Sequence, residues 1–206
     1  MKLTGSSTAL LALIASLMLS GACSAEDPAA RNCTWCHGSS AQGYTPAPRL
    51  AGQRRAYLEQ QLASFKSHTR DNPESKQYMW GAAANLDAQL ARDLAAYFAT
   101  LPPRAAADGR DELVATGRAI YQTGAPEANI VACVVCHGPN GEGIAAIPRL
   151  GGLSYEYLKR RLEQWAGGYH ATALHPMPSV ARKLSAAQID ALASYLSFIG
   201  YADARR

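Results

Sequence analysis

The 206-residue chain is predicted to fold as an all-α protein built from two tandem domains. The sequence repeats itself: Cys33 and Cys133, Pro48-Arg49-Leu50 and Pro148-Arg149-Leu150, Gly52 and Gly152, Tyr57-Leu58 and Tyr157-Leu158, and Leu62 and Leu162 stand 100 residues apart. Further on the offset is 98, pairing Met79 with Met177, Leu86 with Leu184, Leu94 with Leu192 and Tyr97 with Tyr195, which places a two-residue length difference in a loop between. Apolar residues at the end of each copy recur at helical spacing, and no stretch alternates with the period of two that a half-buried strand needs.

Residues 1–25 read as an export leader. Lys2 supplies the positive head, residues 9–19 an apolar core, and small residues follow. That core is too short to span a bilayer comfortably. Cleavage after Cys23-Ser24-Ala25 places the first domain at 26–101, a linker at 102–109 and the second domain at 110–206. The rival reading makes Cys23 a lipid-bearing cysteine, but Ser20 stands where a lipoprotein signal usually has leucine. The other four of the five cysteines lie in the two motifs described below, so no disulfide framework is implied, and export to an oxidising compartment such as the bacterial periplasm fits.

In the first domain a helix is predicted over 54–65. A second follows the N-cap residue Asp87, with Leu90, Leu94, Tyr97 and Leu101 on one face. The second domain repeats this with a helix over 155–165 and one after Ser185, where Gln188 completes a capping box and Ile189, Leu192, Leu196 and Ile199 form the stripe. It also opens with a helix over 111–122, whose apolar side is Leu113, Gly117, Ile120 and Tyr121. The first domain has only residues 26–32 ahead of Cys33, so it is expected to be less well covered at that end. Between the domains, Pro102-Pro103 stops a helix and the small residues up to Gly109 favour an exposed connection.

The chemistry lies in Cys33-Thr34-Trp35-Cys36-His37 and Cys133-Val134-Val135-Cys136-His137. C-x-x-C-H is the attachment signature of c-type haem: both thiols bond to the porphyrin's vinyl groups, and the imidazole takes the iron from one side. Cys33, Cys36, Cys133 and Cys136 are therefore read as haem-attaching, with His37 and His137 as iron ligands, giving two covalent haem c groups. The competing readings are a zinc site made from both C-x-x-C pairs and a thioredoxin-like redox pair. Domains of about 80 to 100 residues bury a marginal apolar core, and a bonded haem completes it.

The second axial ligand separates a carrier from an enzyme with an open iron. Outside the leader the only methionines are Met79 and Met177, one per domain at equivalent registers. A core methionine filling a gap is the ordinary alternative. The matched placement and the known His/Met pairing of c-type haems favour ligation. His68, His170 and His175 do not align across the repeat and read as exposed or loop residues, with His175 a rival for the second iron. Each ligating histidine is expected to donate its other ring N–H to a carbonyl eleven residues on, that of Pro48 or Pro148. Arg49 and Arg149 either pair with haem propionates or are simply solvated. Trp35, Tyr44, Tyr57, Tyr121 and Tyr157 pack in the core by default, and some are expected at the porphyrin or the domain interface.

On these motifs, the Pro-Arg-Leu segments, the two methionines and the two closing helices, the chain resembles the dihaem cytochrome c4 family. That resemblance covers essentially the whole chain behind the leader. It implies two class I cytochrome c folds about a pseudo-twofold axis, with haem propionates near the interface. It further implies fast electron exchange between the haems and delivery to a membrane-bound terminal oxidase, from a donor such as a cupredoxin or a bc-type complex. The short lead-in before Cys33 and the additional residues 124–132 depart from the family pattern and bear on the haem surroundings and docking surface.

The formal net charge is +4, one unit of it at Lys2 in the leader, and four propionates would roughly cancel the rest. Lys159-Arg160-Arg161, the densest basic cluster, reads as a solvated helix face. Nucleic acid is not indicated, while transient contact with a membrane surface is compatible with the oxidase partner. Glu127 and Glu142 are placed to meet a redox partner. The favoured function is a periplasmic one-electron carrier. The alternatives are the dihaem electron-accepting subunit of a larger oxidoreductase such as a flavocytochrome, and a dihaem enzyme such as a peroxidase, which needs an open iron.

Overall fold

A computed structural model of the chain describes residues 30–169 and 176–200. The leader, Cys23 and its cleavage site, and His170 and His175 lie outside the described residues. In chain order the helices are α1 (Arg31–His37), α2 (Arg55–Lys66), α3 (Trp80–Ala83), α4 (Ala88–Thr100), α5 (Val114–Thr123), α6 (Val134–His137), α7 (Tyr155–Ala166), α8 (Met177–Ala181) and α9 (Ala186–Phe198). A single π turn, Ser75–Met79, leads into α3, and a 3₁₀ turn, Asp111–Leu113, leads into α5. Among the described residues there is no strand, only isolated bridges such as Tyr44 with Ala47 and Ile144 with Ile147.

Two apolar cores form, one per domain. In the first, α2 packs on α4, and Leu58, Leu94, Ala95 and Phe98 are buried with Ala30, Ala41 and Ala51. In the second, α9 packs on both α5 and α7, burying Tyr121, Leu153, Leu158, Leu162, Ile189, Leu192 and Leu196. The helix α5 supplies Gly117 and Tyr121, as its apolar spacing predicts. Gly117 is needed there, because a Cβ would collide with the carbonyl of Ala191 on α9. Both closing helices start as predicted: the Asp87 side chain accepts from the Leu90 N–H at 2.8 Å, and Ser185 and Gln188 form a reciprocal capping box.

The linker is exposed at Pro102, Arg104, Ala107 and Asp108, but it is not a free connection. Pro103 is buried against Gly52, and the strap behind it is pinned to the second domain. The Ala106 N–H donates to the Gly152 carbonyl at 3.1 Å and the Ala107 N–H to Ser197 O at 2.9 Å. Asp108 then caps α7 from outside, accepting from the Tyr155 N–H at 2.8 Å. The small residues allow this: with no bulky side chains, the strap's backbone lies close enough to the second domain to satisfy its own polar groups.

Domain contacts are polar and unequal. Gln53 has leucine as its repeat counterpart, so the repeat gives no hint of its role; its amide both donates to the Arg149 carbonyl (2.9 Å) and accepts from the Arg149 N–H (2.7 Å). The Arg149 guanidinium is buried and donates to the carbonyls of Ala51, Gly52 and Gly151, so it is not solvated. Burial, with the Arg49 charge nearby, pulls it down to about 10, and it remains cationic at neutral pH. The basic cluster on α7 also departs from a solvated face. Arg161 is only 5% exposed, and Arg160 reaches across to Glu74 (3.4 Å) and to the Pro46 carbonyl (3.0 Å). Sequence spacing could not show this, because the face of α7 that carries these charges meets the other domain.

Candidate haem sites

Each C-x-x-C-H motif is carried on a helix, α1 in the first domain and α6, with Cys133 at its N-cap position, in the second, and the i, i+3 spacing sets the two cysteines of a pair on one face. The helix ends at His37 or His137, and the chain reverses through a loop of the same design in both domains. The Gly43 N–H donates to the His37 carbonyl at 2.8 Å, and the Gly143 N–H to the His137 carbonyl at 2.8 Å. Both glycines are left-handed, with φ of 67° and 68°, and a Cβ on either would strike the carbonyl of Ala47 or Ile147. Only glycine turns the chain tightly enough to present the following proline carbonyl to the imidazole.

That carbonyl lies where the sequence reading puts it. His37 Nδ1 is 2.8 Å from the Pro48 carbonyl oxygen, and His137 Nδ1 is 3.1 Å from that of Pro148. A carbonyl can only accept, so Nδ1 carries the proton and Nε2 keeps its lone pair. Burial pushes both imidazoles toward the neutral form, with the proline hydrogen bond opposing it. A buried, neutral, oriented ring with a free Nε2 has the donor chemistry that a haem iron takes.

The thiols fit the same group and argue against the competing readings. All four are free, and burial, then the neighbouring Cys36, raises the Cys33 thiol. Burial likewise drives Cys133 up to about 11. A redox-active pair needs a stabilised thiolate, and these environments do the opposite. Among the described residues no three His, Cys, Asp or Glu side chains come together as a metal cage.

Met177 opens α8 and packs against the core that also receives Cys133, Val134 and Tyr157. Met79 ends the π turn and is half-buried. Around the motifs the surface is apolar: Trp35 is 84% exposed in the first domain and its counterpart Val135 is 76% exposed in the second. Tyr121 is fully buried and donates to the Gly138 carbonyl at 2.5 Å, bracing the second motif. His68 stacks on Trp80 at 4.0 Å, an exposed loop residue as expected. Glu142 is half-buried and accepts from the Asn140 N–H at 2.8 Å, whereas Glu127 is exposed.

A helical domain built twice, each copy presenting two thiols and an oriented imidazole, defines a c-type cytochrome with two haems. The family model for cytochrome c matches residues 27–102 and 114–198. The chain is 34% identical over 194 residues to cytochrome c-552 of Acidithiobacillus ferridurans, covering 91% of this chain and 84% of the relative. It is 37% identical over 207 residues to a thiosulfate dehydrogenase electron acceptor of Stutzerimonas stutzeri, covering 92% and 94%. The solved cytochrome c4 of Acidithiobacillus ferrooxidans superposes with a TM-score of 0.75 at 35% identity, covering 81% of this chain and 98% of that one. The chain belongs to the cytochrome c family, in its tandem-domain cytochrome c4 branch. It is a periplasmic dihaem electron carrier and not itself catalytic, and its two domains imply two covalently bound haem c groups.

Proposed function

We propose that Cys33 and Cys36 hold the first haem and Cys133 and Cys136 the second, with His37 and Met79, and His137 and Met177, as the axial ligands. The observation that carries this reading is the pair of matched Nδ1 hydrogen bonds to Pro48 and Pro148, which leave Nε2 available in both domains. Bound haem supplies a one-electron iron couple; imidazole and thioether together fill its coordination sphere, and the soft thioether favours the ferrous state. The protein's part is to hold the ligands rigidly, so that little rearrangement accompanies a change of charge. The glycine-turned loops, the buried imidazoles and the strapped domains serve that end.

The carrier works between a soluble or membrane-bound donor, a cupredoxin or a bc-type complex, and a membrane-bound terminal oxidase. Among the described residues no helix is long and apolar enough to cross a membrane. A second reading has a specific ground: a relative 37% identical is named as a thiosulfate dehydrogenase electron acceptor. On that reading the chain takes electrons directly from a sulfur-oxidising dehydrogenase, a refinement of the electron-accepting-subunit alternative. A redox titration with optical and magnetic spectra is expected to count two low-spin haems, each with nitrogen and sulfur axial ligands. One porphyrin per chain, or a five-coordinate resting iron, overturns the carrier assignment. Stopped-flow mixing of the oxidised protein with a reduced cupredoxin or with a turning-over thiosulfate dehydrogenase separates the two donors.

A further inference from the structure

The interface between the domains encloses a cluster that the haem motifs do not account for. Tyr57 on α2 and Tyr157 on α7 stand at equivalent registers of the repeat, and their hydroxyls face each other across the boundary. Arg70, from the first domain, is 7% exposed; it donates to Gln61 Oε1 at 2.6 Å and reaches across to the Tyr157 hydroxyl at 3.4 Å. Its guanidinium lies over the Phe65 ring at 4.7 Å, and its Nε is buried without a hydrogen-bond partner. Arg161, from the second domain, lies over the Trp165 ring at 4.7 Å and donates to Gln164 Oε1 at 2.7 Å. The two guanidiniums are close enough that each acts on Tyr57 and Tyr157, and Arg70 on Arg161. Burial resists ionisation of Tyr157, but the two arginines outweigh it and lower its pKa, while burial pushes Tyr57 up to about 12.

The cluster touches the walls of both candidate sites. Tyr157 and Trp165 pack against the core that receives Cys133 and Met177. Trp80, which follows Met79 directly, donates its indole N–H to the Arg70 carbonyl at 2.8 Å. A positive charge enclosed beside an iron centre favours the reduced, less positive state, and an enclosed charge is screened far less by salt than a surface one. Arg70 reaches into the second domain at the Tyr157 hydroxyl, while Arg161 contacts Trp165 and Gln164 of its own domain and its charge acts on Tyr57 of the first.

We propose that Arg70 and Arg161, grouped with Tyr57 and Tyr157, form a cationic bridge across the interface through which each domain raises the reduction potential of the other's haem. The inference rests on the reading of each domain as a His/Met haem carrier. These are positioning residues that act through their field, without touching the iron.

The test is potentiometric titration of the holoprotein, with R70Q and R161Q as charge-removing variants and R70K as the charge-conserving one. In R70Q and in R161Q at least one of the two one-electron waves moves to lower potential by about tenfold in its reduction constant, 59 mV for a one-electron couple, and R70K returns it toward the wild-type value. Unmoved waves in both charge-removing variants overturn the proposal. So does a shift in R70K as large as that in R70Q, which would mark a packing role. Two haems and an intact sulfur-to-iron absorption in every variant separate these outcomes from failure of the carrier reading, which would appear in the wild-type protein itself.

Discussion

At the scale of single residues, the imidazole–carbonyl pair decides what the site can do. His37 and His137 are each held by one backbone oxygen, and that contact fixes the ring tautomer and its orientation together. Met79 and Met177, the proposed opposite ligands, each stand on a short, local element, so removing either leaves the C-x-x-C-H motif in place. Replacing Met177 by alanine is therefore expected to retain two covalent haems while removing roughly half of the long-wavelength sulfur-to-ferric-iron absorption and lowering one potential. M79A does the same to the other haem, and an unchanged band in both variants rules out thioether ligation. The contacts of His37 with Pro48 and of His137 with Pro148 could be read from the sequence, because they depend on residue type and a short, fixed spacing; the thiols and methionines proposed beside them are likewise picked out by type and register. Gln53, Arg70 and Arg161 could not, because their partners are 87 to 96 residues away in the chain or, like the ring of Trp165, announce nothing by spacing.

At the scale of elements, helix termini and one close crossing carry most of the specificity. The caps at Asp87 and Ser185 are local side-chain-to-backbone contacts, which is why they were readable in advance. The crossing of α5 over α9 depends on the bare surface of Gly117, flanked by the Ala191 backbone and Tyr195. G117A is expected to force the two helices apart and destabilise the second domain by about 2 kcal/mol, measured as a lowered denaturation midpoint of the holoprotein with the first domain's haem spectrum unchanged. An unaltered midpoint would mean that the crossing is looser than described. The linker shows the reverse case. Its composition signals a break between helices, but the Asp108 cap and the hydrogen bonds to Gly152 and Ser197 form only when the second domain is folded beneath it.

At the scale of the whole molecule, the domains are joined by polar contacts that depend on charge. Glu74 accepts from Gln164 across the interface at 2.7 Å, from Asn72 at 2.8 Å, and faces Arg160. Burial raises its pKa, but the Gln164, backbone and Asn72 hydrogen bonds and the Arg160 charge outweigh it, so the net shift is downward. With the docked value below the undocked one, the undocked form binds the proton more readily. The contact is then fully present above the ordinary glutamate range, about 4.3, and is lost as pH falls below it through the docked value. Acidification below about pH 4 is expected to lower the protection of the Arg149 amide against hydrogen exchange, relative to the intrinsic rate at the same pH, and E74Q to remove the pH-dependent part of that change. Identical pH profiles in the wild type and E74Q would assign the effect to another carboxylate.

The duplication, the helical class, the pairing of one attachment motif with one methionine per copy and the proline that orients each imidazole are properties of residue order, legible because each rests on contacts within a turn or across one short loop. How the copies face each other is of a different kind. Arg149 spans to Ala51 and Gly52, Arg70 reaches Tyr157, and the strap lies over Gly152 because folding brings surfaces together whose chemistry is settled by burial. A guanidinium reads alike on a solvated face and in a closed interface until the opposing surface is in place, and that surface belongs to the other copy.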